Sequence, residues 1–388
     1  MRRPRSVLAV AAAGLLLAGC GSKGSTAQAP PAPAPVVTAT PSATPTASSV
    51  DPASVDANEL GEVPVFMYHQ ILTTLPKGDE YSQTPDHFKA ELQTLYDMNF
   101  RPITAADLVA GKIDVPAGKH PMVMTFDDGT TSQAGLDPSG NPKPDTALGM
   151  MEAFGQAHPD WHSTATFYVN DSPFQDPKVL PWLVQHGYDV GVHTKTHPVL
   201  SKDSDAQVQQ EIGGNYQDIQ KALPGFKITT MALPFGVFPV DRALASAGTY
   251  NGQSYNLSGV MLVGANPAPS PFAKSFNPLK IARVRSDSPT VELNSDYYLP
   301  IWKKNPSVLY TSDGDPNKIS FPAAKAALLN SNYQSQANPY GSTGTSSAEP
   351  SSSASPSPTA TKKSTKSPSP TPSATESTEP KPSSSTTP

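Results

Sequence analysis

Cysteine is almost missing from this chain. Of 388 residues only Cys20 is one, so no disulfide can form within it. Charged residues make up 16% and aromatics 7%, and the net charge is −5. No basic stripe accompanies that balance, which argues against a nucleic-acid partner. A Gly-rich dinucleotide or P-loop fingerprint is also absent, so nucleotide chemistry has no carrier here. The apolar run at 7–17 is too short for a comfortable transmembrane helix, and no second membrane-span candidate follows it.

Proline is plentiful, with 44 residues. Residues 21–58 are rich in Ala, Pro, Thr and Ser, and from about 335 onward Ser, Thr and Pro dominate again. Such stretches cannot bury a core, so a tether over 21–58 and a disordered tail over 333–388 are expected. Before the tether, Arg2, Arg3 and Arg5 precede the short apolar run, which ends in Leu17-Ala18-Gly19-Cys20. That arrangement reads as a targeting segment over 1–20 and resembles a bacterial lipobox. It implies a chain anchored through lipidated Cys20 at the extracytoplasmic face of the membrane or associated with the cell wall. One domain over 59–332 remains, of a size normal for an α/β barrel, and it is expected to be a monomer.

Within that domain strand-like and helix-like segments alternate. Strand candidates lie at 63–67, around Met122, and at 164–169, 189–192, 229–233, 260–263 and 281–284. Helix candidates open at Thr84-Pro85 and at Thr104, and span 147–154, 179–185 and 205–223. In the last, Val208, Ile212, Tyr216, Ile219 and Leu223 fall at helical spacing. Alternation of this kind implies a parallel sheet. About seven strands without a nucleotide fingerprint favour a distorted (β/α) barrel over a doubly wound sheet.

The chemistry concentrates in two segments. Thr125-Phe126-Asp127-Asp128-Gly129 follows the apolar run at 121–124, and His193-Thr194-Lys195-Thr196-His197 follows Val190-Gly191-Val192. Adjacent carboxylates at a strand end raise each other's pKa unless a cation or a shared proton relieves them. Together the segments offer one carboxylate and two imidazoles to a metal, with one carboxylate to spare. That is the inventory of a hydrolytic metal site. Asp-Gly alone is a common turn former, and a lone His at a strand end is commonly structural. The two motifs in order make both bland readings improbable.

These motifs, with Ala165-Thr166-Phe167-Tyr168-Val169 and Gly187-Tyr188-Asp189 leading into the histidines, resemble those of the NodB-type polysaccharide deacetylases, carbohydrate esterase family four. The resemblance covers about residues 60–300. It implies that Asp128, His193 and His197 hold a divalent metal, with Zn²⁺ expected first and Co²⁺, Ni²⁺ or Mn²⁺ as alternatives. It also implies that Asp127 is the general base and that the N–H of Phe235 helps bind the oxyanion. Two departures stand out. Ala232 occupies the place of the Arg that orients the base in the family, and no His occurs after His197 to supply the usual acid.

Val63-Pro64-Val65-Phe66-Met67-Tyr68-His69 resembles the opening strand of the poly-N-acetylglucosamine deacetylases, in which the closing barrel strand is permuted to the front. A closed barrel permits this, because its first and last strands are neighbours. His69 then becomes the expected acid, and Arg283 or Arg285 a replacement partner for Asp127. Trp161 is a candidate sugar platform and Trp182 a core residue. The segment 130–143 is either a cleft wall or an exposed loop. The expected substrate is an N-acetylglucosamine-containing polysaccharide, either exopolysaccharide or peptidoglycan. A glycan-binding lipoprotein that keeps the fold and an O-deacetylase of acetylated xylan are the rivals. A glycoside hydrolase would need two carboxylates at least ~5 Å apart across a bond, which adjacent aspartates do not obviously provide.

Overall fold

A computed structural model of the chain describes residues 50–286 and 292–341. The targeting segment with Cys20, most of the expected tether and the tail from 342 lie outside the described residues. The main sheet is all parallel. Its strands are β1 (Val65–Tyr68), β2 (Phe100–Ile103), β3 (His120–Asp128), β4 (Thr166–Val169), β5 (Asp189–Val192), β6 (Thr230–Ala232), β7 (Gly259–Met261) and β8 (Val284–Arg285). The helices are α1 (Pro85–Asp97), α2 (Ala105–Ala110), α3 (Ala147–Ala157), α4 (Val179–Gln185), α5 (Asp205–Ala222) and α6 (Ser295–Lys304).

The sheet order is β7-β6-β5-β4-β3-β1-β8, with β2 pairing the front half of the long strand β3. The first strand in sequence therefore lies between β3 and β8, as the front-permuted reading requires. The sheet's two edges meet through one short segment. Ile281 bridges to Met261 of β7, and Val284–Arg285 pair with Phe66–Met67 of β1. This is the expected barrel of parallel strands, distorted because its seam is only a few residues long.

Strand period sorts the side chains. Phe66, Met124, Phe126, Phe167, Val190 and Val260 pack outward under the helices, whereas Val65, Val123, Tyr168, Ala232 and Met261 belong to an inner cluster. On the outer face Tyr68, Phe126 and Phe167 stack across three strands, at 4.9 and 5.0 Å between centroids. Tyr168 needs space inside the barrel, and Gly191 on the next strand supplies it: a Cβ there would meet the Tyr168 ring at 2.4 Å.

The helix boundaries follow their capping residues. Thr84 and Thr104 accept from His87 N and Asp107 N, and Ser204 and Gln207 form a reciprocal capping box at the start of α5. The buried face of α5 differs from the expected stripe in one respect. Asn215 is buried there and Tyr216 is only partly so.

The folded region extends beyond both compositional boundaries. Ala57 and Asn58 are buried, and Ile319–Pro322 pairs in parallel with Ala337–Tyr340. The two ends hold one another: the Tyr340 hydroxyl donates to the Ala57 carbonyl, and the Asn58 amide donates to those of Ser307 and Leu309. Polar composition alone could not reveal that these segments pair. Trp161 is also buried, against Phe154 and Tyr96, and is no sugar platform.

Two buried carboxyls give the fold a pH signature. Glu59 accepts from the main-chain N–H groups of Ser320 and Asp313, and burial together with the nearby Asp313 carboxylate pushes its pKa up to about 8. Burial pushes Asp189 up to about 7. Both folded values exceed the unfolded ones, so their contribution is complete below about pH 4 and is lost as pH rises through 7 to 8. The urea midpoint is therefore expected to fall between pH 5.5 and pH 9. Asp313→Asn removes the like charge beside Glu59 and should make that fall smaller. An unchanged or steeper fall in the variant would contradict this account.

Candidate metal centre and active site

Period 2 along β3 turns Thr125 and Asp127 into the barrel, and period 2 along β5 does the same for His193, which follows inward Gly191. Asp127 is buried. Asp128, the last residue of β3, has φ of 81° and is half-buried at the rim. Adjacent aspartates are thereby split between two environments. Gly129 continues the turn at φ 66°, where a Cβ would lie 2.9 Å from Pro173.

The charge on Asp127 is repaid by Arg283. The guanidinium forms a fork, with Nη1 donating to Oδ1 and Nη2 to Oδ2, each at 2.7 Å. Nη1 also donates to Thr125 Oγ1 at 3.0 Å, and Nε to the Leu262 carbonyl at 2.7 Å. Arg283 is wholly buried, and the Gly264 backbone lies close against it. Burial opposes ionisation of Asp127, but the Arg283 charge overcomes it and holds the carboxyl well below the usual range. Of the two arginines open from sequence, Arg283 is the partner. Arg285 instead sits over the Tyr81 ring, 4.6 Å from its centroid.

Asp128, His193 and His197 converge, with ligand-capable atoms all within 4.8 Å of one another. His193 Nε2 lies 3.4 Å and His197 Nε2 3.7 Å from Asp128 Oδ1. The His193 Nδ1 is 2.8 Å from the Ala232 carbonyl, which can only accept, so Nδ1 carries the proton and Nε2 presents its lone pair. That Nε2 is buried and has no hydrogen-bond partner among the described residues. A bare imidazole nitrogen facing a carboxylate fits a cation between them. Burial, with His193 beside it, also lowers the pKa of His197, which favours its neutral, ligating form.

The loop that carries the histidines is held in an uncommon backbone state. Thr194 and His197 have φ of 68° and 58°. Asn170 donates to the carbonyls of His193 and Thr194, and Asn215 accepts from His193 N. Glu211 receives Thr196 N and its hydroxyl, while Lys195 bridges Asp171 and Asp218. Asn215 was legible in principle as a polar residue between apolar Ile212 and Ile219 on one helix face. Asn170 and Glu211 carry no such signal.

His69, immediately after β1, places Nε2 4.0 Å from Asp127 Oδ2. Its ring meets Tyr81 edge-on at 5.0 Å. Phe235 has φ of 57° in a tight turn after β6 and packs its exposed ring against His197 at 4.6 Å. These residues line a cleft of about 420 Å³ with Asp79, Leu233 and Val263. All six residues expected from sequence, His69, Asp127, Asp128, His193, His197 and Phe235, thus meet at one place, on the C-terminal side of the strands. The loop after Gly129 is not simply a wall or an exposed loop, because Gln133 and Ala134 are fully buried.

Removing one member of a buried ion pair leaves an uncompensated charge, at a cost of roughly 3–5 kcal/mol. Arg283→Met and Asp127→Asn should each destabilise the fold, the first by about that amount. The double variant should recover much of the loss, giving a coupling free energy of order 1–3 kcal/mol in a denaturation cycle. Additive losses would show that the fork contributes little.

The polysaccharide deacetylase family model matches residues 114–251, a stretch that holds both aspartates, both histidines and Phe235 but neither His69 nor Arg283. The chain is 27% identical over 132 residues to a chitooligosaccharide deacetylase of Bradyrhizobium sp. (strain ANU 289), which covers 34% of this chain and 53% of that protein. It therefore spans about half the length of that curated relative. Among solved structures, the polysaccharide deacetylase BC0361 from Bacillus cereus aligns with a TM-score of 0.47 and 20% identity, over 61% of this chain and 68% of the other. IcaB from Ammonifex degensii aligns with a TM-score of 0.40 and 20% identity, over 59% and 93%. Through residues 114–251, which carry the two motifs, the chain matches the polysaccharide deacetylase family.

Proposed function

We propose that the protein removes N-acetyl groups from an N-acetylglucosamine-containing polysaccharide, using a divalent metal held by Asp128, His193 and His197. The observation that carries this reading is the split of the adjacent aspartates. Asp128 faces two imidazoles at the rim, while Asp127 is held ionised beneath it by Arg283. A bound divalent cation, with Zn²⁺ first among the choices, supplies Lewis acidity that acidifies a water molecule and polarises the acetyl carbonyl.

The chain's own residues do the rest. Asp127, kept as a carboxylate, accepts the proton of the attacking water through a lone pair that Arg283 does not occupy. The N–H of Phe235 donates to the oxyanion on the former carbonyl oxygen. As the C–N bond breaks, His69 delivers a proton to the departing amine, and acetate is the other product. The cleft, with Leu233 and Val263 on its walls, has room for one acetylated sugar.

The chain's likeness to a chitooligosaccharide deacetylase supports an N-acetylglucosamine substrate. The front position of β1 and His69 favours an exopolysaccharide over peptidoglycan. We place the enzyme at the extracytoplasmic face of the membrane through Cys20, acting as a monomer.

With Zn²⁺ added, the purified chain should release acetate from N-acetylglucosamine oligomers. Asp127→Asn and His69→Ala should each lower kcat by roughly 10²–10⁴-fold. His193→Ala should abolish binding of one Zn²⁺ per chain, read by calorimetry. Bound metal without acetate release from oligomers, polymer or peptidoglycan would point to the glycan-binding rival. Release from acetylated xylan alone would point to an O-deacetylase.

A further inference from the structure

We infer that Gln133 is a positioning residue that holds the acid His69 in register with the base Asp127. The inference rests on the roles proposed above for those two residues. The ladder between β1 and β3 ends at the pair Tyr68↔Phe126. One residue further on, the Gln133 amide nitrogen takes over. It donates to the His69 carbonyl at 2.7 Å and to the Asp127 carbonyl. A single side chain thus joins the main chains of the two proton-transfer residues at the point where strand pairing stops.

Gln133 is itself firmly seated. It is fully buried, its N–H donates to the Thr130 carbonyl and its own carbonyl accepts from Leu148 N at the start of α3. Its neighbour Ser132 repeats the arrangement, accepting Ile71 N on its hydroxyl and Ala147 N on its carbonyl. The turn 130–133 is therefore pinned to α3 on one side and grips residues 69–71 on the other. The chemistry demands an amide donor. Turning the Gln133 amide over, or replacing it with a carboxylate, would set an oxygen against two carbonyl oxygens.

Loss of this donor should fall on His69 more than on Asp127, because Arg283 clamps the Asp127 carboxylate independently. A misplaced acid has a specific kinetic consequence. An amine leaving group needs a proton as the C–N bond breaks, whereas the phenolate of an aryl acetate departs without one. A displacement of about 1 Å can cost about 10²-fold in rate.

The test compares Gln133→Leu and the isosteric Gln133→Glu with wild type and His69→Ala, all with Zn²⁺, on N-acetylglucosamine oligomers and on 4-nitrophenyl acetate. Thermal midpoints are recorded alongside. Both Gln133 variants should lose roughly 10–100-fold in kcat on the oligomers, with KM within about twofold and a loss on the aryl ester at least about tenfold smaller. His69→Ala should show the same selectivity. Equal losses on both substrates, a change confined to KM, or no loss in either variant would overturn the positioning role and leave the deacetylase reading intact. No acetate from wild type would instead sink that reading and this inference with it. A His69→Ala variant without selectivity would remove the acid that Gln133 is said to hold.

Discussion

The fork between Arg283 and Asp127 is the interaction on which the site depends. An ionised carboxylate inside a barrel is costly unless a charge of opposite sign meets it with good geometry, and the two 2.7 Å bonds provide that. The same guanidinium reaches the Leu262 carbonyl just past β7 and the Thr125 hydroxyl on β3, and Thr125 in turn donates to the Phe66 carbonyl on β1. One side chain therefore links the strands on both sides of the seam. It stands where main-chain pairing is sparse: among the described residues the seam segment pairs with β7 at Ile281, where Val260 N also donates to the Pro278 carbonyl, and with β1 at Val284 and Arg285.

The adjacent aspartates illustrate how strand geometry assigns chemistry. Asp127 follows the inward period of Val123 and Thr125 and meets Arg283. Asp128 comes where β3 stops and the backbone enters the left-handed region, so its carboxyl turns over the rim towards the two imidazoles. Two identical side chains acquire opposite duties because the strand ends between them. The left-handed backbone at Asp128, Thr194 and His197 is strain of order 1–3 kcal/mol per residue, and the hydrogen bonds that the histidine loop accepts from Asn170 and donates to Asn215 and Glu211 offset part of it.

The residues proposed as metal ligands, base and oxyanion donor were legible in the sequence because each lies within a short motif whose backbone is local. The barrel was legible for a related reason: alternation of strand and helix signals is a local property repeated along the chain. The partner of Asp127 was not settled in the same way. Arg283 and Arg285 are two residues apart and share a strand face by period, so only the closed barrel shows which one is buried against Asp127. Trp161 misled because flanking His158 and His162 look like surface, whereas Phe154 and Tyr96 fold over it. Gln133 has no motif at all. Its role exists only once β1 and β3 are side by side, although they are separated by more than fifty residues of chain.

His69 and Arg283 lie outside the stretch that carries the family motifs and close the site from opposite ends of the domain. The ligand set sits on β3 and β5, which are separated only by β4 and joined by continuous ladders. The acid arrives on β1, and the clamp for the base comes from the segment leading into β8, both at the seam. The candidate ligands and the candidate proton-transfer groups therefore draw on different parts of the barrel. The candidate ligands lie at the strongly paired centre of the sheet. The proposed acid is held against β3 by the β1 ladder, and the proposed clamp crosses the seam by donating to the Leu262 carbonyl. Of the two, the clamp alone reaches across that seam, so one guanidinium both holds the Asp127 carboxylate and ties the last strands of the barrel together.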